Sequence, residues 1–154
     1  MNMKFNFNNP TNLIFGTGAL NELSSQKMQG KKALLLISSG NSVKTYGTLD
    51  RVQEQLTKAN INYVVCDNIH ENPSKEVVME AAAITKENAC DFIVALGGGA
   101  VLDSAVAVSA MATNPGDLWD YVNGGTGKGL PLVNAGLPIV TIATSSGTGS
   151  EINC

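Results

Sequence analysis

Three clusters of glycine and hydroxyl residues in this chain each follow directly on a short apolar, branched segment. They are Ser38-Ser39-Gly40-Asn41-Ser42 after ALLLI, Gly97-Gly98-Gly99 after FIVAL, and Thr144-Ser145-Ser146-Gly147-Thr148-Gly149-Ser150-Glu151 after PIVTIA. Residues of this kind receive anions: without a side chain the backbone N–H groups can approach an oxyanion closely, and a helix starting there adds its positive end. The triple glycine leads into an apolar pattern over Ala100 to Thr113, with Val101, Leu102, Ala105, Val106, Val108 and Met111. A strand, then glycines, then a buried helix predicts a phosphate cradle; the simpler reading is a tight turn that needs glycine only for backbone freedom and positive φ. Asp103, placed in the first turn of that helix, either stabilises the helix N-terminus by ~0.3 to 1 kcal/mol or accepts hydrogen bonds from a cofactor in the same crevice. The loop of Ser39, Gly40, Asn41 and Ser42 is either a second anion loop or an ordinary helix cap.

Several look-alikes fail on inspection. A G-x-G-x-x-G dinucleotide fingerprint begun at Gly97 ends on Leu102, and one begun at Gly147 ends on Ile152. Gly127-Lys128 resembles the end of a P-loop, but Gly129 replaces the hydroxyl that would touch magnesium and Val122 replaces the first glycine, which excludes that kind of ATPase. Asp67 follows the second apolar segment, where a Rossmann domain holds a ribose, yet with no fingerprint behind it a cap or surface role is the better reading. The single histidine, His70, precedes a turn and reads as a loop residue rather than a catalyst. Cys66, Cys90 and Cys154 are an odd number at wide spacing, which supports neither a disulfide framework nor a zinc site. Cys66 and Cys90 read as inert core thiols, and Trp119 and Tyr121 as residues packing a loop onto the domain. No catalytic residue and no metal ligand is assigned.

The elements that must position these loops follow from periodicity. Ala33 to Ile37, Ile61 to Val65, Phe92 to Leu96 and Pro138 to Ala143 read as strands covered on both faces. Between them Leu49, Val52, Leu56 and Ala59, and then Val77, Val78, Ala81, Ala82 and Ile84, recur at helical steps. Strands alternating with helices predict βαβ units and a doubly wound, mostly parallel α/β sheet. KFNF and NLIF, flanking Asn-Asn-Pro-Thr between Phe5 and Phe15, predict an N-terminal edge hairpin. Residues 1–154 read as one domain, with 44% hydrophobic and 15% charged residues and a net charge of −3. That balance excludes a nucleic-acid binder, no apolar run is long enough for a membrane span, and a cytoplasmic location is expected. The chain ends three residues after Glu151, before any further covering element, and is read as truncated.

The triple-glycine segment through Asp103, the segment Thr144 to Glu151, and the opening Asn12-Leu-Ile-Phe-Gly-Thr-Gly-Ala-Leu20 together resemble the iron-containing, or group III, alcohol dehydrogenases. Ser42-Val43-Lys44, with Gly47 and Leu49-Asp50, is similar to the butanol dehydrogenase and aldehyde reductase branch. The resemblance implies a dehydroquinate synthase-like N-terminal domain that binds NADP or NAD, followed in the family by a helical domain carrying an aspartate and three histidines for iron or zinc. That second domain is absent from this chain, so the chain is expected to be inactive alone. By the same resemblance Gly98, Gly99 and Ala100 hold the pyrophosphate, Asp103 lies near the nicotinamide, and Thr144, Ser145 and Thr148 line the adenosine and phosphate side. Ala100 and Val106 replace a family serine and lysine, which implies a weaker grip on the dinucleotide. A stand-alone, non-catalytic nucleotide- or partner-binding domain is the alternative, with a homo-oligomer or a separate helical domain as partner. The absence of a carboxylate in Ser38 to Ser42 implies that NADP(H) binds at least as well as NAD(H).

Overall fold

The computed structural model describes residues 4, 5 and 8–152. Four strands, β1 (Lys32–Ser38), β2 (Asn62–Ile69), β3 (Phe92–Gly97) and β4 (Ile139–Ala143), form one sheet in the order β2-β1-β3-β4. Every pairing is parallel. The two central strands carry runs with no exposure at all, Ala33 to Ile37 and Phe92 to Leu96. That explains their unbroken apolar sequences: with both faces covered there is no polar side to alternate with.

Helices α1 (Ser42–Thr45) and α2 (Thr48–Lys58) close one face. There Val43, Leu49, Val52 and Leu56 pack on Ala33, Leu35, Ile37, Phe92, Val94 and Leu96. Helices α3 (Lys75–Glu87) and α4 (Gly99–Thr113) close the other. There Val78, Ala81, Ala82, Val101, Leu102, Ala105, Val108 and Met111 pack on Leu34, Leu36, Ile93 and Ala95. Odd and even residues of β1 thus serve opposite cores, as the two-residue period of a strand requires. The free thiols of Cys66 and Cys90 are buried, and burial pushes both above the ordinary range of a thiol, which keeps them protonated and unreactive.

The expected strands and helices are all present. The N-terminal hairpin is not supported as expected: Asn6 and Phe7 of its first half lie outside the described residues, and its second half, Asn12 to Phe15, carries no strand. Leu13 and Phe15 are 63% and 96% exposed, so that segment buries no apolar face, and a two-stranded ribbon without such a face is marginal in water. Cys154 also lies outside the described residues. The loop from 114 to 138 contains a short helix, α5 (Leu118–Tyr121), capped by Asp117, whose carboxylate accepts from Trp119 N at 2.8 Å. Tyr121 packs against the core as expected, and Leu118 joins it, whereas Trp119, expected to pack likewise, stands partly out and donates its indole N–H to Thr126 Oγ1 at 2.8 Å.

Two side chains tie this frame together. Asn114, 1% exposed at the end of α4, donates Nδ2 to the carbonyls of Ala110 and Asn134, both at 2.9 Å, and accepts at Oδ1 from Val133 N and Asn134 N, both at 2.8 Å. It staples the loop leading to β4 onto α4. Asp91, just before β3, accepts from Lys31 N and Lys32 N at 2.9 Å at the entrance to β1. Partial burial works against its charge, but the N–H groups of Lys31 and Lys32 outweigh it and hold the carboxyl below the ordinary aspartate range.

Asn114→Ala is expected to destabilise the fold by about 2 to 3 kcal/mol, because it leaves two backbone N–H groups without an acceptor; urea unfolding checks this. Asp91→Ala is expected to cost about 1 kcal/mol at pH 7, the low end for hydrogen bonds to a solvent-exposed carboxylate. Since the folded carboxyl titrates below its unfolded value, that contribution is full above about pH 4 and fades as the pH falls further. Acid unfolding curves of the two proteins should therefore converge toward low pH.

Candidate functional site

The chain crosses from β1 to β2 in one direction along the sheet, then returns past β1 to β3 and continues to β4. The connection after β1 passes to the face of α1 and α2, and the one after β3 to the face of α3 and α4. The loops leaving the carboxyl ends of these adjacent strands therefore diverge, and a crevice opens between β1 and β3. In open α/β sheets this topological switch point is where ligands bind. All three glycine and hydroxyl loops end at this edge, because β1, β3 and β4 run parallel and each loop follows its strand.

Gly97 closes β3, Gly98 is the extended residue before α4, and Gly99 is the first residue of that helix. The N-cap of α4 is Gly98, which brings no side chain to cap the helix. Its first-turn N–H groups point out of the carboxyl edge, and the next two, Val101 N and Leu102 N, bond to Gly98 O at 3.0 and 3.2 Å. The expected use of positive φ does not hold: none of the three glycines lies in the left-handed region, and Gly98 has φ −84°. Space is what these positions require. A Cβ on Gly97 would lie 2.7 Å from Val101 Cγ2, one on Gly98 3.3 Å from Ser145 Oγ, and one on Gly99 3.1 Å from Thr148 Cγ2. The triple glycine lets the third loop lie directly on the second, and Thr144 N bonds to Gly97 O at 3.0 Å across the gap. Left-handed backbone is used instead at Gly147 (φ 108°) and Gly149 (φ 71°), where the third loop turns back.

The hydroxyl residues Thr144, Ser145 and Thr148 are exposed on this loop, and Ser39, Gly40, Asn41 and Ser42 are exposed on the first. Asn41 precedes α1 without a side-chain cap bond, so the helix-cap role considered for it is not used. Asp103 is exposed, and since α4 begins at Gly99 it falls in the second turn, where the dipole contribution expected of a first-turn carboxylate is weaker. Ala100 stands in the first turn, and Val106 is half-buried further along α4.

Two residues set aside on sequence grounds belong to this edge. Asp67 lies within β2, and its carboxylate meets Lys44 Nζ at 2.8 Å; the ammonium holds it below the ordinary aspartate range. His70 places Nδ1 2.7 Å from Ser39 Oγ. No periodicity signals that meeting, which depends on where two neighbouring strands end. Two surface depressions, one at Thr57 and Asn60 to Tyr63 and one at Pro73 to Glu76, Val78, Leu118 and Trp119, include no residue of the three loops. Among the described residues no group of three or more His, Cys, Asp or Glu is placed to hold a metal ion. The donors at the crevice suit an anion, and an iron or zinc site does not fit these residues. No helix among the described residues is long and apolar enough to cross a membrane.

A parallel sheet with glycine loops converging on its switch point defines the class of open α/β domains that take ligands at their carboxyl edge. Residues 10–154 match the family model for iron-containing alcohol dehydrogenase, and the chain belongs to that family. It is 40% identical over 149 residues to the probable NADH-dependent butanol dehydrogenase 1 of Bacillus subtilis, covering 97% of this chain and 37% of that protein. It is 30% identical to NADH-dependent butanol dehydrogenase A of Clostridium acetobutylicum, covering 98% and 38%. The crystal structure of the Thermotoga maritima NADH-dependent butanol dehydrogenase A superposes with a TM-score of 0.85 at 33% identity, over 97% of this chain and 37% of that one. The chain corresponds to the N-terminal part of these enzymes and spans little more than a third of their length.

Glycine substitutions separate the need for space from the need for backbone freedom. Gly97→Ala forces Val101 to move and is expected to cost about 1 to 3 kcal/mol. Gly98→Ala meets only the tip of Ser145 and is expected to cost less than about 1 kcal/mol, so melting temperatures should rank wild type, Gly98→Ala, Gly97→Ala in descending order.

Proposed function

We propose that this chain is the dinucleotide-binding part of an NAD(P)-dependent alcohol dehydrogenase or aldehyde reductase. The observation that carries the reading is the convergence of three small-residue loops on the β1/β3 switch point, beside an α4 N-terminus whose N-cap is a glycine. Backbone N–H groups of Gly98, Gly99 and Ala100 receive the pyrophosphate, where the positive helix end favours negative charge. Thr144, Ser145 and Thr148 flank it with hydroxyls, and Asp103 accepts hydrogen bonds near the nicotinamide. Ser39, Gly40, Asn41 and Ser42 meet the adenosine ribose. The bound cofactor supplies hydride transfer to or from a small aldehyde or alcohol, and this chain supplies orientation and electrostatics.

Residues 1–154 form a single binding domain in this reading. The helical metal-binding domain is the element that covers its crevice and the exposed Leu130, Leu132 and Val133. The setting is the cytoplasm, where the soluble cofactor is available. Ala100 and Val106 support a second reading, a non-catalytic nucleotide-binding module, because they remove a hydroxyl donor and a cation that the family pattern places near the anion, each worth ~0.5 to 3 kcal/mol when buried.

With butanal, NADH or NADPH and added zinc or iron, turnover by the isolated chain is expected to stay at background; turnover above background overturns the reading. Calorimetric titration with NADPH separates a working cofactor site from a vestigial one. The first loop lacks a carboxylate that would repel a 2′-phosphate, so NADP(H) is expected to bind at least as well as NAD(H). Ser39→Asp is then expected to weaken NADP(H) by at least about tenfold relative to NAD(H), through like charge at close range.

A further inference from the structure

At the carboxyl edge β1 and β2 stay joined beyond the end of their regular ladder. The register runs evenly from Lys32 opposite Asn62 to Leu36 opposite Cys66, then shifts so that Ser38 faces Ile69. β2 therefore carries one residue more than β1 over this stretch, a local bulge of the kind that redirects side chains. Beyond it Ser39 N bonds to Ile69 O at 2.9 Å, and the next residue, His70, lies with Nδ1 2.7 Å from Ser39 Oγ. Both side chains are exposed, on the loop assigned above to the adenosine ribose.

We propose that His70 sets the discrimination between 2′-phosphorylated and unphosphorylated dinucleotides, by deciding which hydrogen-bonding face Ser39 turns to the ligand; this rests on the dinucleotide reading above. A neutral imidazole nitrogen accepts or donates according to its tautomer, whereas in the protonated ring both nitrogens only donate. When Nδ1 accepts, the single hydroxyl proton of Ser39 is committed to the ring, and the oxygen presents lone pairs outward. Those suit a ribose 2′-hydroxyl, which can donate, and oppose a phosphate, which mainly accepts. When the ring is protonated, Nδ1 must donate to Ser39 Oγ, the hydroxyl proton turns outward, and a positive charge stands directly behind it. A 2′-phosphate, carrying a charge of about −1.5 to −2 at neutral pH, gains from both changes. A ribose hydroxyl gains little from either.

Other charged groups also lie at this edge. Lys44 of α1 is paired with Asp67 of β2 at 2.8 Å, Glu71 follows His70 in the chain, and Glu80 of α3 accepts from Asn68 Nδ2 at 3.0 Å. Of the groups at this edge only His70 reaches Ser39, at 2.7 Å, and imidazole is the side-chain type whose ordinary charge change falls between about pH 5 and 8.

Calorimetric titration of the chain with NADP⁺ and NAD⁺ at pH 8.0 and pH 6.0, at constant ionic strength, tests the proposal. The affinity ratio of NADP⁺ to NAD⁺ is expected to rise about five- to tenfold on going to pH 6.0. In His70→Gln it is expected to stay flat or fall, since the 2′-phosphate itself begins to take up a proton near pH 6. Ser39→Ala keeps the charge but not the hydroxyl, and is expected to retain only about a two- to threefold rise. A ratio independent of pH in the wild type, or an equal rise in His70→Gln, overturns the role of His70 and leaves the dinucleotide site standing. Failure of both dinucleotides to bind at either pH overturns both.

Discussion

Complete burial of two adjacent parallel strands is the constraint on which the rest of the molecule depends. β1 and β3 expose no side chain between Ala33 and Ile37 or between Phe92 and Leu96. Parallel neighbours cannot be joined by a tight turn, and the right-handed crossover sends the chain over one face or the other according to its direction along the sheet. Covering both faces of β1 and β3 therefore requires the chain to leave them in opposite senses. The crevice at their carboxyl ends is the geometric residue of that requirement.

What fills the edge of that opening is decided by close approach rather than by backbone flexibility. The three consecutive glycines hold ordinary backbone angles, and their missing side chains leave room for Val101, Ser145 and Thr148. Loop and loop are thereby in contact, and hydroxyls on the third loop come to lie beside the first turn of α4. The same absence of side chains is what the proposed anion site at the α4 N-terminus uses, so in that reading one compositional feature serves both packing and recognition. Burial also disposes of competing chemistry: Cys66 and Cys90, the two nucleophilic thiols among the described residues, are held protonated inside the fold.

The division of labour with the remainder of such enzymes follows from what the described residues lack. They bring no cluster of metal-ligating groups together, and the hydroxyls of the crevice lie exposed. In the proposed reading this part orients the nucleotide, and the polarisation of a carbonyl belongs to groups other than the described residues. The proteins that the chain matches are more than twice its length, which accords with that division.

The strands, the helices and the three candidate loops were legible in the sequence because their signals are local. Branched apolar runs mark β1 and β3, three- and four-residue steps mark α2 and α3, and glycines directly after strands mark the crevice. Other features were decided only by tertiary structure. Whether Gly97 to Gly99 serve conformation or space depends on which loop lies against them, and that loop begins more than forty residues later, at Thr144. Asn114 reads as an ordinary polar residue until its partners at Val133 and Asn134 are in place. Locally His70 reads as a loop residue, and only the extra residue in β2 brings it to Ser39. Periodicity reports which face of an element is buried, whereas the meeting of two side chains from different strands depends on register and on where each strand ends, and those are properties of the assembled sheet.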